Sequence, residues 1–209
     1  SVLGNTNKVS EYIYACRKMG IKILPPDINK GEGAFSVDDG CIRYGLSAIK
    51  SLGKPVIEEI LRERSEGGSY KSLRDLIERL SSKEMNKRTV ESLIKSGALD
   101  ELGYTRKQQM FVYASILESI QKERKHEISG QMSILDFMSE DQQKNFEIEY
   151  PDVGEFDKEQ RLAMEKEVLG IYVSGHPLED DVEILERLTT ASTADFTAEE
   201  DTGQPVLRD

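Results

Sequence analysis

Apolar and polar positions alternate along this chain with mostly helical spacing. Val9, Tyr12, Ile13 and Cys16 recur at i, i+3, i+4 and i+7, which predicts a helix that Gly20 stops. Ile21 to Leu24 is a short apolar run ended by Pro25-Pro26, a pair that excludes both a helix and a central strand. Ala34 to Val37 and Cys41 to Tyr44 are β-formers flanking Asp38-Asp39-Gly40, and they predict a hairpin. From Tyr44 to Arg64 the pattern predicts a short apolar helix, a tight turn at Lys50-Ser51-Leu52-Gly53 and a second helix with Pro55 in its first turn. After the break at Gly67-Gly68-Ser69, a helix is predicted over Leu73 to Leu80, followed by a loop at Ser81-Ser82-Lys83. Asn86 reads as the N-cap of a helix carrying Val90, Leu93 and Ile94. Thr105 with Gln108 forms a capping box for a long helix that buries Tyr113, Ile116, Leu117 and Ile120.

Beyond Ser129-Gly130 the pattern changes. Gln131 to Met138 is an apolar, extended-looking peptide, and an acidic loop runs from Ser139 to Asp157. Lys158 to Leu169 predicts a helix closed by Gly170. Ile171-Tyr172-Val173 reads as a strand or a helix-end anchor, and Ser174 to Leu178 as a turn in which His176 is structural. Val182, Leu185 and Leu188 mark a last helix, and 191–209 is acidic and polar, with Gln204 to Leu207 opening a strand. The expected class is mostly α, with a small β-hairpin near the N-terminus and an acidic, loop-rich C-terminal part.

Charge sharpens this picture. The 209 residues carry a net charge of −11, but 1–42 are neutral, 43–125 carry +5 and 126–209 carry −16. A basic middle can meet phosphates; the acidic tail cannot. No apolar run approaches the roughly 18 residues of a membrane span. No basic-then-apolar leader begins the chain, and Cys16 and Cys41 have no metal or redox spacing. The expectation is a cytoplasmic protein with reduced thiols. No Walker-type loop, zinc spacing or G-x-S-x-G nucleophile is present, so the chain itself is expected to hold no catalytic residue, metal or cofactor.

The candidate chemistry lies at the glycine corners. A helix start aimed outward by a Gly turn presents free N–H groups and a positive dipole end, which together suit a phosphate. Gly53 is expected at positive φ, and Lys50, Ser51, Leu52, Gly53 and Lys54 form the first candidate site. Ile49-Lys50-Ser51-Leu52-Gly53 has an echo in Ile94-Lys95-Ser96-Gly97-Ala98, so Lys95, Ser96, Gly97 and Ala98 form a second. The plain alternatives are an ordinary helix corner and an ordinary Gly-capped helix end. Arg106 and Lys107, in the first turn of the long helix, are further phosphate candidates, although simple solvent exposure is the stronger reading for them. Two such corners read as a tandem helix-hairpin-helix element that grips backbone phosphates without reading bases. Gln131, Met132, Ser133, Ile134, Leu135 and Phe137 suit docking into a pocket on a partner; from spacing alone, a strap over this protein's own core is the stronger reading.

Four strings carry a family resemblance. They are Tyr12 to Ile21 with Leu24-Pro25-Pro26-Asp27-Ile28-Asn29, Ile42 to Lys50, Asn86 to Asp100, and Glu167 to Leu178. From about Lys8 to about Leu188 the chain resembles the alpha subunits of bacterial DNA polymerase III. The resemblance implies the end of the fingers region over 1–44, a tandem helix-hairpin-helix domain over 45–126 that holds duplex DNA, a sliding-clamp-binding peptide and acidic linker over 127–157, and a helical connector toward an OB fold over 158–209. The parent would be a DNA-directed DNA polymerase using two metal ions, Mg2+, in a palm domain outside this chain, together with other replisome subunits. The family's clamp peptide is typically Gln-Leu-Ser/Asp-Leu-Phe. Here Leu135 stands where Phe is usual and Phe137 comes two residues late, which leaves open the side chain that fills the clamp pocket. The resemblance reverses the weighting in favour of docking. The alternative is a stand-alone helix-hairpin-helix repair or scaffold protein.

Overall fold

The computed structural model describes residues 6–80, 85–128 and 149–178. Helix α1, Thr6–Lys18, buries Val9 and Ile13. Tyr12, expected on that stripe, is exposed, because α1 packs along a narrow line against a very small sheet. Gly20, at φ 75°, ends α1: its N–H donates to the Arg17 carbonyl at 3.0 Å, and the Ile21 N–H to the Cys16 carbonyl at 2.9 Å.

The sheet has the order β1-β3-β2. Strands β2, Ser36–Asp38, and β3, Cys41–Arg43, are antiparallel with Val37 opposite Ile42. Asp39 and Gly40 between them both have positive φ, the two-residue turn that the right-handed strand twist favours. Strand β1, Ile23–Leu24, lies parallel on the other side of β3, at the edge that Pro25-Pro26 permits. The Arg43 side chain closes this region by donating to Asp38 from Nε at 2.8 Å and to the Pro25 carbonyl at 3.1 Å.

The remaining elements are helical. A single 3-10 turn, Leu46–Ala48, precedes α2, Lys54–Gly67. Then come α3, Leu73–Arg79, and α4, Lys87–Ser96, followed by a 3-10 turn at Asp100–Leu102. The last two helices among the described residues are α5, Arg106–Ile128, and α6, Lys158–Leu169. The predicted caps are in place. Asn86 Oδ1 accepts from the Thr89 N–H at 3.0 Å, and Thr105 and Gln108 exchange both bonds of the capping box. Helix α4 lies against both α5 and α6, and α3 packs on α5. Val90, Leu93, Ile94, Leu99 and Ile116 fill the centre; burying a side chain such as Leu93 contributes about 1.5–3 kcal/mol. Tyr44 lies in the same core, and burial pushes its phenol up to about 12.

The mostly helical class with a small sheet near the N-terminus holds. The expected first helix of the 44–64 hairpin is only the 3-10 turn, because Gly45 and Ile49 on either side of it have extended backbone. Ile171 and Val173 are buried anchors rather than a strand. Their backbone is held by Glu165, whose Oε2 accepts from the Val173 and Ser174 N–H groups, both at 2.9 Å. The unit that holds all these helices ends at Ser174, and a separate one begins at Gly175. The loop at Ser81 to Lys83, the peptide from Gln131 to Phe137, the helix at Val182 to Leu188 and the tail at 191–209 lie outside the described residues.

Candidate nucleic-acid interface

The first corner differs from expectation in one respect. Gly53 has φ −74° and ψ 156°, extended backbone open to any residue, and Ser51 takes the positive φ, 71°. Lys50 turns inward. Its N–H donates to the Val168 carbonyl at 2.8 Å and its Nζ to the Glu167 carbonyl at 2.8 Å. Tyr44 Oη donates to the Leu169 carbonyl at 3.2 Å, and the Gly170 N–H to the Lys166 carbonyl at 3.1 Å. The four carbonyls that a helix end leaves without partners are therefore all satisfied at the end of α6, largely by this corner. What the corner leaves open is the start of α2. Gly53 offers no side-chain cap, Pro55 has no N–H to satisfy, and Lys54 is 87% exposed beside Glu58 at 3.4 Å. That is a positive dipole end beside an exposed cation.

The second corner is built inward. The Gly97 N–H donates to the Ile94 carbonyl at 3.0 Å and the Ala98 N–H to the Leu93 carbonyl at 3.2 Å, the paired bonds of a Schellman helix end. Ser96 is buried with its Oγ donating to the Leu93 carbonyl at 2.8 Å, and the Ala98 carbonyl accepts from the Ile28 N–H at 2.9 Å. Gly97 sits at φ 80°, where an added Cβ would lie 2.3 Å from the Arg106 guanidinium. The amides of Gly97 and Ala98, expected at a phosphate, are consumed in closing α4.

Arg106 is 3% exposed and does not reach solvent either. Its Nε donates to Asp100 at 2.9 Å, and its two terminal nitrogens to Asp100 at 2.8 Å and to Glu165 at 3.2 Å. Burial alone would lower its pKa, but the hydrogen bonds and charges of Asp100 and Glu165 outweigh that and raise it. Lys107 is half-buried, its Nζ 6.0 Å from the Phe156 ring centroid. Basic residues are tolerated at this helix start because Glu155 supplies the anion, accepting from the Arg106 N–H at 3.0 Å and the Lys107 N–H at 3.2 Å.

The two corners nevertheless share one surface. A groove of about 390 Å³ is lined by Lys50 and Ser51 from the first and Lys95 from the second, with Arg88, Glu91 and Glu167. Lys95 Nζ lies 2.8 Å and 3.0 Å from the Glu167 carboxylate oxygens. Glu91 is held by the Tyr113 hydroxyl, and that bond, with burial, pushes the Tyr113 phenol up to about 12. Arg88 is exposed and makes no ion pair with another described residue. Sequence reading missed Arg88 and Glu167 as site residues. Arg88 was detectable, since it stands seven positions before Lys95 and so on the same helix face; Glu167 was not, because it comes from a helix 72 residues further on.

Residues 20–109, which include both corners, match the family model described as a helix-hairpin-helix motif. The chain is 38% identical over 189 residues, 90% of its length, to the DNA polymerase III subunit alpha of Vibrio cholerae. It is 37% identical over 205 residues to that of Campylobacter jejuni and 36% over 178 residues to that of Mycobacterium leprae, 96% and 85% of the chain. The chain belongs with the alpha subunits of DNA polymerase III. It spans only 16%, 17% and 15% of the length of those three relatives, so it corresponds to one segment of such a subunit.

Proposed function

We propose that this chain is a duplex-binding portion of a replicative DNA polymerase alpha subunit, and that it holds the sugar–phosphate backbone without reading sequence. The observation that carries the proposal is the open start of α2, set beside a groove where cations from both corners converge. Ser51, Gly53 and Lys54 supply backbone donors and a charge at the rim, with Leu52 buried beneath as their anchor; Lys50, Lys95 and Arg88 line the adjoining groove. Ser96, Gly97 and Ala98 close the helix that carries Lys95, and Arg106 donates to the Lys95 carbonyl. The whole polymerase would carry out DNA-directed DNA synthesis in the cytoplasm with Mg2+ bound elsewhere. Among the described residues no group of three or more His, Cys, Asp or Glu side chains could hold a metal ion, and no helix is long and apolar enough to cross a membrane. Similarity along 90% of the chain to a polymerase subunit favours this reading over a stand-alone repair or scaffold protein.

Phosphate binding makes affinity fall steeply with salt, with a slope of roughly 0.9 per phosphate neutralised. Reversing two exposed cations, Lys54→Glu with Arg88→Glu, should weaken binding to a mixed-sequence duplex at least about tenfold at low salt and flatten the slope by about 2, with circular dichroism unchanged. Unchanged affinity would remove the proposal.

The peptide containing Gln131, Met132, Ser133, Ile134, Leu135 and Phe137 is proposed to dock on the sliding clamp. Replacing Gln131, Leu135 and Phe137 with Ala should abolish capture of the chain by purified clamp; undiminished capture would assign the peptide to another role.

A further inference from the structure

We propose that Glu167 is a built-in competitor of the DNA backbone: its carboxylate holds the Lys95 ammonium until a phosphate takes its place, and so keeps duplex affinity below what the groove's cations alone would give. The inference rests on the duplex-binding reading and concerns how tightly that site holds.

Three observations support it. First, both carboxylate oxygens face one ammonium, at 2.8 Å and 3.0 Å, much as two phosphate oxygens would, and the pair lines the shared groove. Second, the two partners are unequally placed. Lys95 keeps only 20% of its side chain exposed whereas Glu167 keeps 60%, so the carboxylate covers the cation and can swing away into water while the cation stays. Third, Glu167 sits in the last turn of α6, where the helix dipole disfavours an acid. Its carboxylate takes no part in closing that helix end, whose carbonyls are satisfied by Lys50, Tyr44 and Gly170. A clamped duplex must slide as it is extended, and a resident counter-charge at one contact shortens the life of each grip.

The test compares the full chain with Glu167→Gln and Glu167→Asp on a fluorescent mixed-sequence duplex across salt. Gln removes the charge. Asp keeps the net charge and the helix but draws the carboxylate back from Lys95, so it also reports if the Gln variant fails to fold. Both should bind about two- to fivefold more tightly at low salt, the range expected for releasing one exposed ion pair. The Gln variant should steepen the salt slope by about 0.9, one further phosphate neutralised. Glu118→Gln, an equal charge change at an exposed residue paired with Lys87, should do neither. In a Lys95→Gln background the Glu167 substitutions should lose their effect. Affinity unchanged or weakened in both Glu167 variants, while the parent chain still binds with a salt-dependent slope, would overturn this proposal alone. A parent chain with no salt-dependent duplex binding would instead remove the function on which it rests.

Discussion

Arg106 and Lys54 are both basic residues at helix starts, and they have opposite uses. Arg106 is enclosed with Asp100 and Glu165, and its side chain reaches the Lys95 carbonyl at 3.3 Å, so its charge is spent inside the fold. Glu165 is fully buried and depends on that guanidinium and two backbone N–H groups. Arg106→Ala should therefore cost about 3–5 kcal/mol, the penalty for leaving a buried charge without its partner, read as a lower urea midpoint. A loss below about 1 kcal/mol would mean that water replaces the guanidinium. Lys54 touches only Glu58 on the surface, where an ion pair is worth at most about 1 kcal/mol, so its substitution should leave stability alone.

Helix starts separate in the same way. Helices α3, α4 and α6 are closed by the side chains of Ser72, Asn86 and Asp157, and α5 by Thr105 and Glu155. Helix α2 has Gly53 at that position and nothing in its place. Because Gly53 has ordinary extended backbone and an added Cβ would meet only Pro55 Cδ at 3.5 Å, Gly53→Asp can be accommodated. It should hold stability constant or raise it by a few tenths of a kcal/mol, while weakening duplex binding by filling the donors and adding a negative charge. A variant that is more stable and binds DNA as well as before would show that this helix start is merely uncapped. Element by element, much was legible in the chain: Asp39-Gly40 marked the hairpin, Asn86 and Thr105 marked two caps, and Gly20, Gly97 and Gly170 marked three helix ends. These signals are local, each depending on side chains within a few residues.

At the scale of the molecule the local signals run out. Two corners with nearly the same residues, Ile-Lys-Ser and a glycine, differ in which amides remain free, and distant partners decide it. Ile28 reaches the second corner across 70 residues and Val168 the first across 118, while Glu155 fills the start of α5 from 49 residues away. Spacing along the chain could locate the corners but not these bonds: it ranked the second corner below the first only because no proline follows it, and it set Arg106 at the surface. The resemblance to polymerase alpha subunits had the same blind spot, since it transfers a region as a whole and not the state of each N–H. The start of α2 is thus open and adjoins a shared cationic groove.

That asymmetry is directly measurable in a backbone-amide NMR titration of the chain with a short mixed-sequence duplex at low salt. The account predicts the largest shifts at Ser51, Gly53, Lys54 and Val56, followed by Arg88, with Gly97 and Ala98 nearly still. Shifts centred on Gly97 and Ala98, or spread over the chain with none at the start of α2, would contradict it.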